Sequence, residues 1–158
     1  MWEKNDIREI LISENEIQER AKQLGEQITK DYSSKKPLLV GLLRGSVPFL
    51  ADLMKNIDLD IQFDTMDVSS YEGTESVGEI RILKDLDTPV KGLDIILVED
   101  IVDTGRTLQT VKNTLLHRGA ASVTICTLLN KSARRTVDIQ ADYIGFEVAD
   151  EFVVGYGN

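Results

Sequence analysis

Three carboxylates in five positions, Glu99, Asp100 and Asp103, are followed directly by Thr104-Gly105-Arg106-Thr107. The second group combines two hydroxyls, a guanidinium and a glycine that lets backbone N–H groups approach a ligand. These are the components of a site for a phosphate monoester. Glu99 and Asp100 are hard oxygen donors, suited to sugar hydroxyls and to Mg²⁺. A simpler reading is an acidic cap, since Asp and Thr make good helix N-caps, but one cap does not need three carboxylates. The GxxxxGK[ST] pattern is absent, which disfavours a P-loop nucleoside triphosphatase.

The flanking residues predict how this cluster is held. Leu93-Asp94-Ile95-Ile96-Leu97 reads as a buried strand bounded by Gly92. Leu108, Val111, Leu115 and Leu116 repeat at helical spacing up to Gly119. The cluster therefore falls between a strand end and a helix start, where open α/β sheets bind ligands.

Elsewhere the same alternation recurs. Ser13 and Glu16 form a capping-box signature ahead of Ile17, Ala21, Leu24 and Ile28, which predicts a helix from 14 to about 31. Leu38 to Leu43 reads as a buried strand running into Arg44-Gly45-Ser46, and Val47 to Met54 as a helix. Arg44 and Gly45 at that second junction suit an anion. Ile57 to Val68 alternates, with Leu59, Ile61 and Phe63 expected inward and Asp58, Asp60, Gln62 and Asp64 outward. Residues 69–78 form a polar, glycine-bearing loop, either a hairpin tip or a lid. Further strands are expected at 78–83, 122–129 and 141–148, and Phe152-Val153-Val154 is a short apolar segment. The order implies one α/β domain over residues 1–158 with a mostly parallel central sheet flanked by helices.

Composition narrows the function. With 18 basic against 27 acidic residues, a net charge of −9 and a pI near 4.6, no basic footprint for nucleic acid is expected. The single Cys126 cannot form an internal disulfide and reads as a reduced core thiol. No run is long enough to span a bilayer and the first residues lack a signal-peptide apolar region, so a cytoplasmic protein without membrane contact is expected.

VEDIVDTGRTL, at 98–108, resembles the phosphoribosyl-diphosphate motif of type I phosphoribosyltransferases. LVGLLRGSVPFLADL, VSSY, GEIRILKDLD, TLLNKS and ADYIGFEVADEFVVGYG resemble, in order, segments of the hypoxanthine-guanine branch of that family, so the resemblance covers about residues 6 to 157. It implies a Rossmann-like fold with a small hood and a mobile loop, forming homodimers or homotetramers. It also implies a purine-salvage reaction that makes IMP or GMP from phosphoribosyl diphosphate and a 6-oxopurine, with Mg²⁺.

Residue roles follow from the resemblance. Glu99 and Asp100 would hold the ribose hydroxyls and the metal-linked donor, and Asp103, Thr104, Gly105, Arg106 and Thr107 the 5′-phosphate. Asp103 would be the acid/base at the purine imidazole nitrogen. Arg44 and Gly45 would bind diphosphate, and Ser70 and Tyr71 would ride on the closing loop. Lys131 would donate to the 6-oxygen, Phe152 would stack on the ring, and the Val153 backbone would read its edge. Asn130, Ser132 and Ala149 depart from an aspartate and two prolines common in the family. The chain stops at Asn158, where the family usually continues with an aspartate tied to a second magnesium and then an arginine near pyrophosphate, so weakened catalysis is expected. Two other readings share part of the pattern: a non-catalytic nucleotide-binding regulator on this fold, and a phosphoryl-accepting receiver domain.

Overall fold

The computed structural model describes residues 9–70, 79–149 and 152–154, with 9–11 and 152–154 described as backbone only. Tyr71 and the rest of the loop 71–78, Trp2 and the tail 155–158 lie outside the described residues.

Helix α1 (Glu14–Asp31) starts at the capping box read in the sequence: Glu16 N–H donates to Ser13 Oγ and Ser13 N–H to Glu16 Oε1, both at 3.1 Å. Its Ile17, Ala21, Leu24 and Ile28 stripe is buried. Strand β2 (Leu38–Leu42), β3 (Gln62–Ser70), β5 (Asp94–Val102), β6 (Ser122–Asn130) and β7 (Tyr143–Glu147) run parallel, and β4 (Ile80–Lys84) pairs antiparallel at the edge beside β3. The order across this six-stranded sheet is β4-β3-β2-β5-β6-β7. Helices α2 (Val47–Lys55) and α3 (Arg106–His117) complete the layers.

Both faces of the sheet are covered, so β2 and residues 95–98 of β5 are buried at every position rather than alternately. Leu39, Ile96 and Val98 pack with Ile17, Leu24 and Phe49 on one side. Leu38, Val40 and Leu97 pack with Val111 and Leu115 on the other. Cys126 is fully buried in this core, and burial pushes its thiol pKa up, which suits an inert structural thiol. A separate parallel pair joins the chain ends, β1 (Glu9–Leu11) with β8 (Phe152–Val154). Among the described residues no helix is long and apolar enough to cross a membrane.

Three expectations need correction. Strand β3 begins at Gln62 rather than Ile57, and the expected alternation holds through Gln62 but reverses at the next two residues: Asp64 is buried and Phe63 is 60% exposed. The carboxylate goes inward because it accepts N–H bonds from Thr65 (2.7 Å), Asp87 (2.9 Å) and Thr88 (3.0 Å) and faces the Lys84 ammonium (3.3 Å). Leu116, placed in the buried stripe of α3, is 41% exposed. Strand β5 runs on to Val102, so Glu99 and Asp100 lie within the strand rather than in the loop after it.

Candidate active site

Parallel pairing brings the C-terminal ends of neighbouring strands to one edge. Gly41 on β2 pairs with Val98 on β5, and Val102 on β5 with Asn130 on β6. Arg44-Gly45, the 99–107 segment and Lys131 therefore share that edge, while Ser70 ends β3 beside them in the strand order. The turn after β2 is held from below: buried Ser46 donates its hydroxyl to Leu42 O (2.6 Å), and Val47 N–H donates to Arg44 O (3.1 Å). Arg44 and Gly45 stay exposed, and a Cβ placed on Gly45 would stand 3.7 Å from Asp100 Oδ2. The two junctions, far apart in the chain, thus abut.

The loop after β5 turns on Gly105, whose φ of +83° is left-handed and needs glycine. Gly105 is also the N-cap of α3 and makes no side-chain cap. The acidic cluster is therefore not a helix cap. Among the described residues, the N–H groups of Gly105, Thr107 and Leu108 have no acceptor, while Arg106 N–H reaches Thr104 Oγ1 (3.3 Å). These groups line a cavity of about 170 Å³ with Glu99 and Ile101. A helix start with free N–H groups favours an anion through direct hydrogen bonds and the helix dipole. Arg106 Nε donates to Thr136 Oγ1 (2.9 Å), which anchors the guanidinium at the rim of the cavity.

Next to this positive end lies a pair of carboxylates with the opposite demand. Burial pushes the Glu99 carboxyl up to about 7, assisted by the Asp100 charge and opposed by the Asp100 N–H at 2.9 Å. Burial also raises Asp100. Among the described residues neither has a cationic partner. Two half-buried hard donors lacking a cation fit a divalent ion that completes its shell with water and ligand oxygens. They do not make a closed protein cage, since no cluster of three or more His, Cys, Asp or Glu occurs among the described residues. Asp103 stands exposed at the mouth of the loop.

Lys131 is half-buried, and its N–H donates to Val102 O (3.0 Å), which ties its turn to the end of β5. Its ammonium has no ion-pair partner among the described residues. Phe152 and Val153 lie on β8, in register with Glu9 and Ile10, and their side chains are outside what is described. The sequence reading missed Arg135. Its guanidinium reaches Asp103 O (2.6 Å), Val102 O (3.4 Å), Ile139 O (3.1 Å) and Asn130 Oδ1. The only local signal is a pair of arginines shortly after a strand end, and no spacing rule ties them to a loop some thirty residues earlier.

Comparison with known proteins agrees with this geometry. The family model for the phosphoribosyl transferase domain matches residues 6–158, and the chain belongs to that family. Within it, the chain is 55% identical to a hypoxanthine-guanine phosphoribosyltransferase of Lactococcus lactis, over 99% of this chain and 87% of that one. Identity to the enzyme of the same name from Streptococcus pyogenes is 53%, over 96% and 85% of the two chains. A crystal structure of a hypoxanthine phosphoribosyltransferase from Staphylococcus aureus superposes with a TM-score of 0.90 at 49% identity, covering 97% of this chain and 84% of that one. The receiver-domain reading is set aside, since the acidic pair sits on the fourth of the six main-sheet strands, inside a phosphoribosyl transferase fold.

Proposed function

We propose that this chain, as one domain over residues 1–158, transfers the phosphoribosyl group of phosphoribosyl diphosphate to hypoxanthine or guanine, giving IMP or GMP and diphosphate. The observation that carries the proposal is the placement, at one sheet edge, of an anion-ready helix start beside two half-buried carboxylates that lack a cation among the described residues. A 5′-phosphate and a metal-linked sugar diphosphate satisfy those two demands together.

In this reading Gly105, Thr107 and the Thr104 hydroxyl hold the 5′-phosphate, with Asp103 and Arg106 at the mouth of the loop. Glu99 and Asp100 accept the ribose hydroxyls and hold Mg²⁺, which when bound neutralises charge on the departing diphosphate. Arg44 and the Gly45 backbone bind that diphosphate from the abutting turn. The purine nitrogen bonds to C1′ as the bond from C1′ to diphosphate breaks, and the exposed Asp103 carboxylate takes the ring proton. Lys131 has donors and no acceptor, so it selects a 6-oxo group and rejects adenine's 6-amino group. Phe152 stacks on the base, the Val153 backbone reads its edge, and Ser70 and Tyr71 close over the centre. A homodimer or homotetramer in the cytoplasm completes the reading; exposed Phe63 and Leu83 and the reduced Cys126 suit it.

The test is direct. Hypoxanthine, phosphoribosyl diphosphate and Mg²⁺ incubated with the protein give IMP and diphosphate, and Asp103→Asn reduces the rate by roughly 10²-fold or more. No IMP above the Asp103→Asn background at high protein concentration overturns the assignment.

A further inference from the structure

We infer that Arg135 is a positioning residue for the phosphate loop, held in place by Asn130 and Glu147, and that it acts through the loop's backbone rather than by touching substrate. The inference rests on the phosphate-binding reading of residues 103–107 given above.

Arg135 is gripped almost wholly by uncharged oxygens. Nη1 donates to Asp103 O and Val102 O, Nε to Ile139 O, and Nη2 to Asn130 Oδ1. The next residue continues the contact, since Thr136 N–H donates to Thr104 O (3.1 Å). Three consecutive carbonyls, those of Val102, Asp103 and Thr104, are therefore drawn toward one strap of chain. In a planar trans peptide the N–H points opposite to the C=O. Drawing these carbonyls back turns the N–H groups of Asp103, Thr104 and Gly105 forward, away from the strap. The cavity lies on that forward side, and neither Arg135 nor Thr136 lines it.

The other half of the device explains why an amide stands at 130. Asn130 is buried and does two opposite things: its Oδ1 accepts from Arg135 and its Nδ2 donates to Glu147 Oε1 (2.7 Å). An amide side chain accepts from a guanidinium through its oxygen and donates to a carboxylate through its nitrogen, on two separate atoms and without titrating. Glu147 is anchored in turn by Ser132, whose N–H (3.1 Å) and hydroxyl (2.8 Å) donate to Oε2. A lysine at 135 would keep the charge but lose the planar fork that reaches several acceptors at once.

The experiment compares wild type, Arg135→Lys and Asn130→Ala. If Arg135 positions the loop, Arg135→Lys raises KM for phosphoribosyl diphosphate about tenfold while KM for hypoxanthine stays within about twofold, and Asn130→Ala moves the same constant by about threefold. Equal changes in both constants, or a wild-type KM for the donor in Arg135→Lys, overturn the inference. Should Arg135→Lys fail to fold, Asn130→Ala decides by the same criterion. Calorimetry with ribose 5-phosphate, which needs neither purine nor turnover, separates the inference from the transferase reading. Wild type that binds ribose 5-phosphate without making IMP, together with a tenfold loss in Arg135→Lys, sinks the reading and keeps the inference. Wild type that makes IMP while Arg135→Lys binds ribose 5-phosphate equally well does the reverse. Wild type that neither binds ribose 5-phosphate nor makes IMP removes both.

Discussion

Asp64 and Glu99 are carboxylates on strands that flank β2 from opposite sides, and their surroundings drive them in opposite directions. Asp64 is buried, yet its pKa falls to about 2: burial raises it, and the Thr65 and Thr88 hydrogen bonds and Lys84 together outweigh that. Among the described residues Glu99 receives one N–H bond and no cation, so burial wins and its pKa rises to about 7. The first carboxylate is satisfied by its own fold. The second is held ready for a partner that the described residues do not supply, as expected of a binding site rather than a structural knot.

Removing the satisfied carboxylate has the larger effect on stability. Asp64→Ala strands the N–H groups of Asp87 and Thr88 and takes from Lys84 its nearer carboxylate, leaving it Asp87 at 3.8 Å, at a cost of about 3 kcal/mol. For a chain of this size that lowers Tm by roughly 6–12 °C. The sign with pH follows from the lowered pKa: the ionic part of Asp64's contribution is present above its ordinary value of 3.8 and is lost as pH falls toward about 2. Urea unfolding at pH 7 and at pH 2.5 measures both numbers. A deficit as large at pH 2.5 as at pH 7 would show that the charge is irrelevant and would break the contrast with Glu99.

Glu99→Gln goes the other way. Between 4.5 and about 7 the unfolded chain releases this proton while the folded one keeps it, so stability falls as pH rises through that window and stays low above it. The amide keeps the Oε1 acceptor for Asp100 N–H without the charge. It therefore stabilises the ligand-free protein at pH 8 by about 1–2 kcal/mol, allowing for partial solvent access, and flattens the slope from pH 4.5 to 7. IMP formation drops at least about tenfold in the same variant, the usual exchange of activity for stability at a ligand site. A variant less stable than wild type at pH 8 would place Glu99 with Asp64 as structural.

The same pair of residues shows what a sequence can and cannot reveal. Helix α1 was legible to its ends because its capping box is local, Ser13 to Glu16. The inward seat of Asp64 was not legible, because what buries that carboxylate comes from Lys84, Asp87 and Thr88, twenty or more residues on. The acidic pair and the phosphate loop were legible because one strand–turn–helix junction holds them. Their exact seat was not, since β5 runs on to Val102 only because β6 continues beside it to Asn130. Arg135 and Asn130 stayed hidden for the same reason: their roles exist only across the sheet edge. For Phe152 and Val153 the structure adds only a backbone register with β1.

The smallest effect is the most specific. If Glu99 and Asp100 are held for a divalent ion, Mg²⁺ alone stabilises the protein. At about three times its Kd the gain is about 0.8 kcal/mol, or roughly 2–3 °C in Tm. A proton on Glu99 competes with the metal, and with a pKa near 7 about nine-tenths of the sites are protonated at pH 6. The same Mg²⁺ concentration then stabilises by only about 0.2 kcal/mol. Thermal shifts at pH 8 and pH 6 therefore differ about fourfold in wild type and in Asp64→Ala, whose site is intact, and vanish in Glu99→Gln. A shift that ignores pH, or that survives Glu99→Gln, would mean Mg²⁺ acts elsewhere, and the unsatisfied carboxylate would need another ligand to explain it.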